Sequence, residues 1–460
     1  MLSEIRDFGR RLLRGGVLPL AVSALFAGAC GNGAETPRAA TGGVPQNLIL
    51  VSIDTLRADR LGAYGYDRDT SPAIDALARR GVRFETAIAE SSWTLPSHVT
   101  LMSGLPPALH GVTVPTRKVS PDVPLLAEVL RDDGFRTIGL TAGRFLAERF
   151  GFDRGFEHFN GDNLSFARAL GMASKRIAEI DAAERFFVFI HTYAVHCPYD
   201  PPPKYAARFA TRPAADRIDT RGRCGHPHYN RMSLTPGQAR FISDRYDGSI
   251  RYADDVLGEF LERLERSGRL ATTLVAITSD HGEEFLEHGK IGHRGTLYIQ
   301  SVRVPWLMAG PGLPPSVVAE PVSLADVMPT LLDLLGVSPP PMRGISMLPV
   351  IRGEREANRD RLVFSQNDWG LPGYGAVVGN HHIVVDNLRA RARLYDWRAD
   401  PDEQDDRAGR DAERTRELFL TARARFNDLN RDPARIAADP VGEVSPEDRA
   451  QLEALGYIAP

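Results

Sequence analysis

Four short apolar runs, Asn47–Ile53, Arg136–Leu140, Phe186–His191 and Thr273–Thr278, are continuous rather than alternating. A strand wetted on one face alternates apolar and polar residues, whereas a continuous run rich in Val, Ile and Phe suits a strand covered on both faces. Between these runs lie stretches with helical spacing: Ala73–Arg80, Val123–Asp132, Asp244–Glu265 and Ala325–Leu335. Strands alternating with helices predict an α/β fold with a mostly parallel central sheet sandwiched by helices. Chemistry in such sheets gathers at the carboxyl ends of the strands. Asp54 ends the first run, His191 and His196 follow the third, and Asp280 and His281 follow the fourth.

After about residue 340 the texture changes. LVFSQ, YGAVVG, HHIVVD and RARLYDW are short alternating segments, which predict a small antiparallel sheet, and the charged stretch 398–450 is expected to be helical in part. The chain therefore divides into a catalytic domain over 47–340 and a C-terminal subdomain with a charged helical tail over 341–460. Neither internal repeats nor heptads are present. A net charge of −3 gives no footing for a nucleic-acid partner.

The first 46 residues read as targeting rather than fold. Arg10, Arg11 and Arg14 precede an apolar run from Val17 to Ala29, too short to span a bilayer and shaped like the core of a signal peptide over 1–29. The run ends Ala27-Gly28-Ala29-Cys30, similar to a bacterial lipobox with Cys30 as the lipidated residue; ordinary cleavage at the A-x-A sequence is the alternative. Residues 30–46 read as a flexible tether. The expectation is an exported protein, periplasmic or at the cell surface, held to a membrane by an N-terminal lipid. In that compartment disulfides persist, so Cys197 and Cys224 are expected to pair, two free thiols being the alternative.

Asp280-His281-Gly282-Glu283 directly follows a strand, and a carboxylate beside an imidazole makes a good pair of ligands for a divalent metal. Taken alone, the same Asp could be a helix cap. Asp54 and the segment Thr94-Leu95-Pro96-Ser97-His98 supply the company that favours a metal. Pro96 suits the first turn of a helix, whose N-terminus would aim N–H groups and a positive dipole at an anion. A hydroxyl beside such a start is placed to attack phosphorus or sulfur once metal coordination has lowered its pKa. The plainer roles for these residues are a cap for Thr94, a packed helix residue for His98, a loop residue for His293 and a supporting residue for His191.

Together these segments resemble the sulfatases of the alkaline-phosphatase superfamily. The resemblance runs from about Asn47 to Asp406 through IDTLRADRLGAYGY, TLPSHVTLMSGLPPALHGV, FFVFIHTYAVHCPYDPP, YDGSIRYADDVLGEFLERL, ITSDHGEEFLEHGKIGH and LYDWRADPDE, in the family's order. It implies metal ligands at Asp54, Asp280 and His281, a nucleophile at Thr94 that is also a ligand, and a catalytic or ligand role for His196. The cofactor implied is one or two divalent ions, Zn, Mn or Ca. Sulfatases carry Cys or Ser at the nucleophile position, oxidised to formylglycine, and Thr94 cannot give that aldehyde by the same route. The family's Arg in this motif is His98, its doubled Asp is Asp54-Thr55, and its Lys-x-His is replaced by the stretch around Arg144. Phosphoethanolamine transferases and phosphodiesterases of the superfamily use an unmodified Thr, and the former are similar at His196 and His293.

The expectation is a metal-dependent hydrolase of sulfuric or phosphoric esters in which Thr94 forms a covalent intermediate. His196 and His293 would serve the leaving group or a second metal, and His98 and Arg294 would bind substrate. A phosphoryl transferase and a catalytically inactive surface lipoprotein are the alternatives. The substrate would be a small-molecule, glycan or lipid ester.

Overall fold

The computed structural model describes residues 43–211, 216–220, 234–293, 295–369, 372–389 and 391–442. The signal and tether through residue 42, Cys30 among them, lie outside the described residues, as do Cys224, Arg294 and the tail beyond 442.

Eight strands form one sheet: β1 (Asn47–Ile53), β2 (Val82–Phe84), β3 (Arg136–Leu140), β4 (His158–Asn160), β5 (Phe186–Thr192), β6 (Thr273–Thr278), β7 (Trp306–Ala309) and β8 (Ser316–Val318). Their order is β8-β2-β7-β6-β1-β5-β3-β4. β1 lies at the centre, parallel to β5 and β6, with Val51 opposite both Ile190 and Ile277. Only β7 breaks the parallel pattern, running antiparallel to β6 and β2.

Alternate residues of the continuous apolar runs enter two cores. Leu48, Leu50, Phe187 and Phe189 pack on one side of the sheet, and Ile49, Val51, Ile53, Val188 and Ile190 on the other. This is the physical sense of a run without polar residues: both faces of the strand are dry. Among the helices are α1 (Pro72–Arg80), α2 (Thr94–Ser103), α3 (Leu126–Asp132), α4 (Phe166–Glu179), α5 (Pro236–Arg266), α6 (Val327–Leu335) and α7 (Ala412–Arg431). α5 starts eight residues before the expected Asp244, because Thr235 and Gln238 form a capping box and Pro236 takes the first helical position. Asp254 accepts from the backbone N–H groups of Ala73 and Ile74, so this buried carboxylate of α5 caps α1.

The four alternating C-terminal segments form an antiparallel sheet in sequence order: Val363–Asn367, Gly373–Val378, His381–Asp386 and Arg391–Asp396. Phe364, Tyr374, Ile383, Val385 and Leu394 belong to the same apolar cluster as Leu48 and Phe187, so this sheet shares a core with the parallel one. The charged stretch contributes α7, which buries Leu418, Ala422 and Leu429.

Candidate active site

Three strand ends and one helix start converge. Asp54 follows β1, and its N–H donates to the carbonyl of Thr192 at the end of β5. Asp280 and His281 follow β6, and Thr94 is the first residue of α2. All four are fully buried. The ligand atoms of Asp54, Asp280 and His281 lie within 4.8 Å of one another. Thr94 Oγ1 donates to Asp54 Oδ2 at 3.3 Å and stands 3.5 Å from His281 Nε2.

Local geometry explains how the chain reaches this arrangement. Thr55 takes a left-handed backbone, φ 60°, immediately after Asp54. That conformation is costly for a β-branched residue and persists only where surroundings over-determine it. Tyr246 of α5 supplies the clamp: its hydroxyl donates to the Thr55 carbonyl at 2.7 Å and accepts from the Arg57 N–H at 2.9 Å. Arg57 also donates to the Glu283 carbonyl at 2.9 Å and pairs with Asp59 and Glu287, tying the first loop to the loop after β6. Gly282 is required there, since a Cβ would sit 2.0 Å from the carbonyl oxygen of Gln300.

The electrostatics fit a divalent cation. Asp54 Oδ1 and Asp280 Oδ2 are buried and accept no hydrogen bond. Burial raises the Asp54 carboxyl to about 6, with the neighbouring His281 pulling the other way. Asp280 is raised as well, by burial and then by the charge of Asp54. Two dry carboxylates so close are unstable as anions unless a positive charge joins them. His281 Nδ1 donates to the Gly282 carbonyl at 3.0 Å, which turns Nε2 toward the carboxylates in the manner of a metal-ligating imidazole. Two carboxylates, an imidazole and the Thr94 hydroxyl are a donor set for Zn²⁺, Mn²⁺ or Ca²⁺. Among the described residues no second group of three such ligands accompanies it.

Four further imidazoles surround the centre, and the structure separates their roles. His98 lies beneath Thr94 within α2: Nδ1 donates to the Thr94 carbonyl and Nε2 accepts from Ser52, both at 2.9 Å. Burial lowers it to about 4. Both nitrogens are occupied, so the expected substrate contact by His98 finds no free donor or acceptor; the ring instead fixes the start of α2. His191 Nε2 stands 3.3 Å from Asp54 Oδ2, and burial holds this imidazole at about 3, hence neutral. His196 Nδ1 donates to the Cys197 carbonyl at 2.6 Å, while its Nε2 is buried and without a partner. Burial lowers His196 to about 3, so Nε2 is a bare acceptor at neutral pH. His293 stacks near His281, ring centroids 4.1 Å apart, and its Nδ1 meets Glu283 Oε1 at 3.0 Å. Burial pushes Glu283 well above the usual carboxylate range.

Arg294 lies outside the described residues, and a different arginine reaches the site. Arg144 follows β3 with φ 62° and places its guanidinium carbon 4.7 Å from the centre of the Tyr193 ring. Its charge favours the ionised form of Asp54 and the neutral forms of His191 and His196. It also lines an open cavity of about 470 Å³ with Arg149, Glu148, Asp162 and Asn163. The resemblance already points to the stretch around Arg144, and the position of β3 next but one to β1 brings that arginine to the site. Cys197 is disulfide-bonded; Cys224, its expected partner, is not among the described residues.

The model of the sulfatase family matches residues 46–337, and that of the N-sulphoglucosamine sulphohydrolase C-terminal region matches residues 287–431. An arylsulfatase of Clostridium perfringens is 22% identical over 78% of this chain and 89% of its own. Arylsulfatase K of Mus musculus is 31% identical over 37% of this chain, and the choline-sulfatase of Rhizobium meliloti 30% over 38%. The matched parts span 33% and 34%, about a third, of the length of those two relatives. Among solved structures, the phosphonate monoester hydrolase of Agrobacterium radiobacter superposes with a TM-score of 0.70 at 21% identity, covering 88% of this chain and 98% of that one. A protein solved with its substrate D-glucosamine-2-N,6-O-disulfate gives 0.69 at 19%, covering 85% and 99%.

Proposed function

We infer the activity from one premise: this chain belongs to the sulfatase family. It is an ester hydrolase of that family, acting on phosphoric or sulfuric esters with Thr94 as nucleophile, and the threonine favours the phosphoric side. The observation that carries this is the contact of Thr94 Oγ1 with both Asp54 and His281 at the start of α2. An unmodified hydroxyl forms a phosphothreonine directly, whereas the formylglycine route of sulfate release is closed to it.

Asp54, Asp280, His281 and Thr94 would hold the divalent ion, which when bound supplies the positive charge that acidifies the hydroxyl and steadies the transferred group. Thr94 Oγ attacks the central atom in line, a bond forms from Oγ, and the bond to the leaving alcohol oxygen breaks. The hydroxyl proton departs along the hydrogen bond toward Asp54. His293, its ring oriented by the contact of Nδ1 with Glu283, donates a proton to the leaving oxygen. His196, neutral with Nε2 bare, accepts a proton from the water that then attacks phosphothreonine and restores Thr94. Arg144 binds the anionic oxygens of the substrate.

The disulfated-glucosamine complex and the phosphonate monoester hydrolase support testing sugar sulfates and phosphorus esters alike. Initial rates on p-nitrophenyl phosphate, bis-phosphate and sulfate decide the ester class. Turnover confined to the sulfate would overturn the phosphoric assignment, and turnover of none with or without added metal would overturn the hydrolase itself. The run Val17–Ala29 and Cys30 support export and lipid anchoring, which the mass of the mature N-terminal peptide tests.

A further inference from the structure

Behind the loop that follows β6 is a second cavity, of about 210 Å³, lined by Arg57, Asp59, Gln300, Arg303, Trp397 and Arg398 among others; Asp59, its one carboxylate among the described residues, is paired with Arg57. It lies where the C-terminal sheet meets the catalytic loops, away from Thr94. The three guanidiniums are not equally neutralised. Arg57 is satisfied by Asp59 (2.6 and 2.9 Å), Glu287 and the Glu283 carbonyl. Arg398 donates to Thr86 at 3.1 Å and stands 3.5 Å from Glu85. Arg303 donates to the Glu85 carbonyl at 3.2 Å and feels the charges of Asp59 and Glu85, but among the described residues neither of these carboxylates nor any other is at ion-pair distance, and its buried Nε has no partner. Arg303 and Arg398 both stack on the Trp397 ring, at 5.2 and 4.5 Å, which holds two cations at one wall. A part-buried guanidinium without a paired anion is costly, and burial does lower its proton affinity.

Gln300 adds a second demand. Its Nε2 donates to the Pro401 carbonyl at 2.7 Å, which fixes the amide orientation and leaves Oε1 buried without a hydrogen bond. A side-chain carbonyl only accepts, so the missing partner is a donor. The cavity therefore asks for negative charge toward Arg303 and Arg398 and an O–H toward Gln300.

We propose that this cavity is a binding site for a small protonated oxyanion of the phosphate class. Hydrogen phosphate offers both features at neutral pH, with charged oxygens for the two arginines and one hydroxyl for Gln300. Sulfate is fully ionised there and has no hydrogen to give. Arg57 shares this cavity and holds the Glu283 carbonyl, so an occupant touches the same arginine that braces the loop bearing His281.

Two soaked anions distinguish the chemistry, because arsenate keeps a hydroxyl at neutral pH as phosphate does and selenate does not. Crystals of the whole protein soaked in arsenate should show an anomalous peak between Arg303 and Arg398, separate from any peak at Thr94. Selenate should give a peak there at less than a third of that height. Arg303→Gln should lose the arsenate peak at this cavity while retaining the one at Thr94; Arg398→Gln serves if Arg303→Gln does not fold. In solution, phosphate should raise the Tm of the wild type more than equal sulfate does, and Arg303→Gln should lose at least half of that difference. Ordered water alone in arsenate-soaked crystals would overturn the site, and equal peaks for the two anions would overturn the phosphate assignment. Activity at Thr94 is untouched by either result, so the hydrolase reading stands or falls separately.

Discussion

Thr94 Oγ1 and Asp54 Oδ2 stand 3.3 Å apart although forty residues separate them. The contact exists because α2 begins where β1 ends, and the His98 ring within α2 holds the carbonyl of Thr94 itself. Replacing Thr94 by Ala removes one hydroxyl from a packed site and should shift Tm by only a few degrees. Turnover should fall at least ~10³-fold, equivalent to about 4 kcal/mol of barrier. Thr94→Ser keeps the nucleophile and should retain measurable turnover. Steady-state kinetics and melting curves on the three proteins check this; undiminished activity in Thr94→Ala would exclude the proposed nucleophile.

The raised carboxyl of Asp54 makes a signed statement about pH. Its pKa in the metal-free fold, about 6, lies above the ordinary 3.8, so the folded state binds the proton more tightly than the unfolded one. That contribution is fully present below pH ~4 and is lost as pH rises through 6, a loss of roughly 3 kcal/mol by pH 7. The neutral imidazoles His191 and His196, held at about 3, act oppositely and gain stability over the same range. A comparison of metal-free wild type with metal-free Asp54→Asn cancels them. The variant should become the more stable of the two as pH rises from 4 to 7, and only the wild type should gain Tm on adding a divalent ion. Denaturant melts at four pH values measure it; a constant difference across the series would be the contrary result.

His196 and His293 should fail differently. With His196→Ala the water step slows, so phosphothreonine accumulates, and intact mass after an acid quench should show a phosphoryl adduct at Thr94. With His293→Ala the first step suffers, more for alkyl esters than for nitrophenyl esters, whose leaving oxygen needs no proton. Equal losses on both ester types would argue that His293 is a supporting residue only.

Arg144 should show itself in KM. Its guanidinium stacks on Tyr193 and acts on the charges of Asp54, His191 and His196. Arg144→Gln should raise KM for a doubly charged monoester about tenfold, near 1.4 kcal/mol, with a smaller effect on a singly charged diester. Identical KM changes for the two substrates would point to a structural role for the strained Gly143-Arg144 turn.

Much of the fold was legible because dry strands have a plain signature. β1, β3 and β6 fall on the residues expected, and the strand bearing His191 extends one residue further. Helix starts were less legible: α5 begins upstream because a capping box, not apolar periodicity, sets its N-terminus. Asp54, Asp280 and His281 could be named since each ends a buried strand, and strand ends of a parallel sheet meet.

The sequence by itself determined the parallel sheet, the acidic and imidazole residues at its carboxyl edge, and a threonine where the family has an oxidisable residue. Only the tertiary structure decided what each imidazole does. Sequence context places His98 in a helix, His191 at a strand end and His196 in a loop, but does not say that one has both nitrogens engaged, one leans on Asp54 and one keeps a bare Nε2. A ring nitrogen's role is set by the partner of the other nitrogen, and those partners come from residues far apart in the chain. The same holds for Arg303, whose place beside Arg398 shows only when Trp397 of the C-terminal region stands against both.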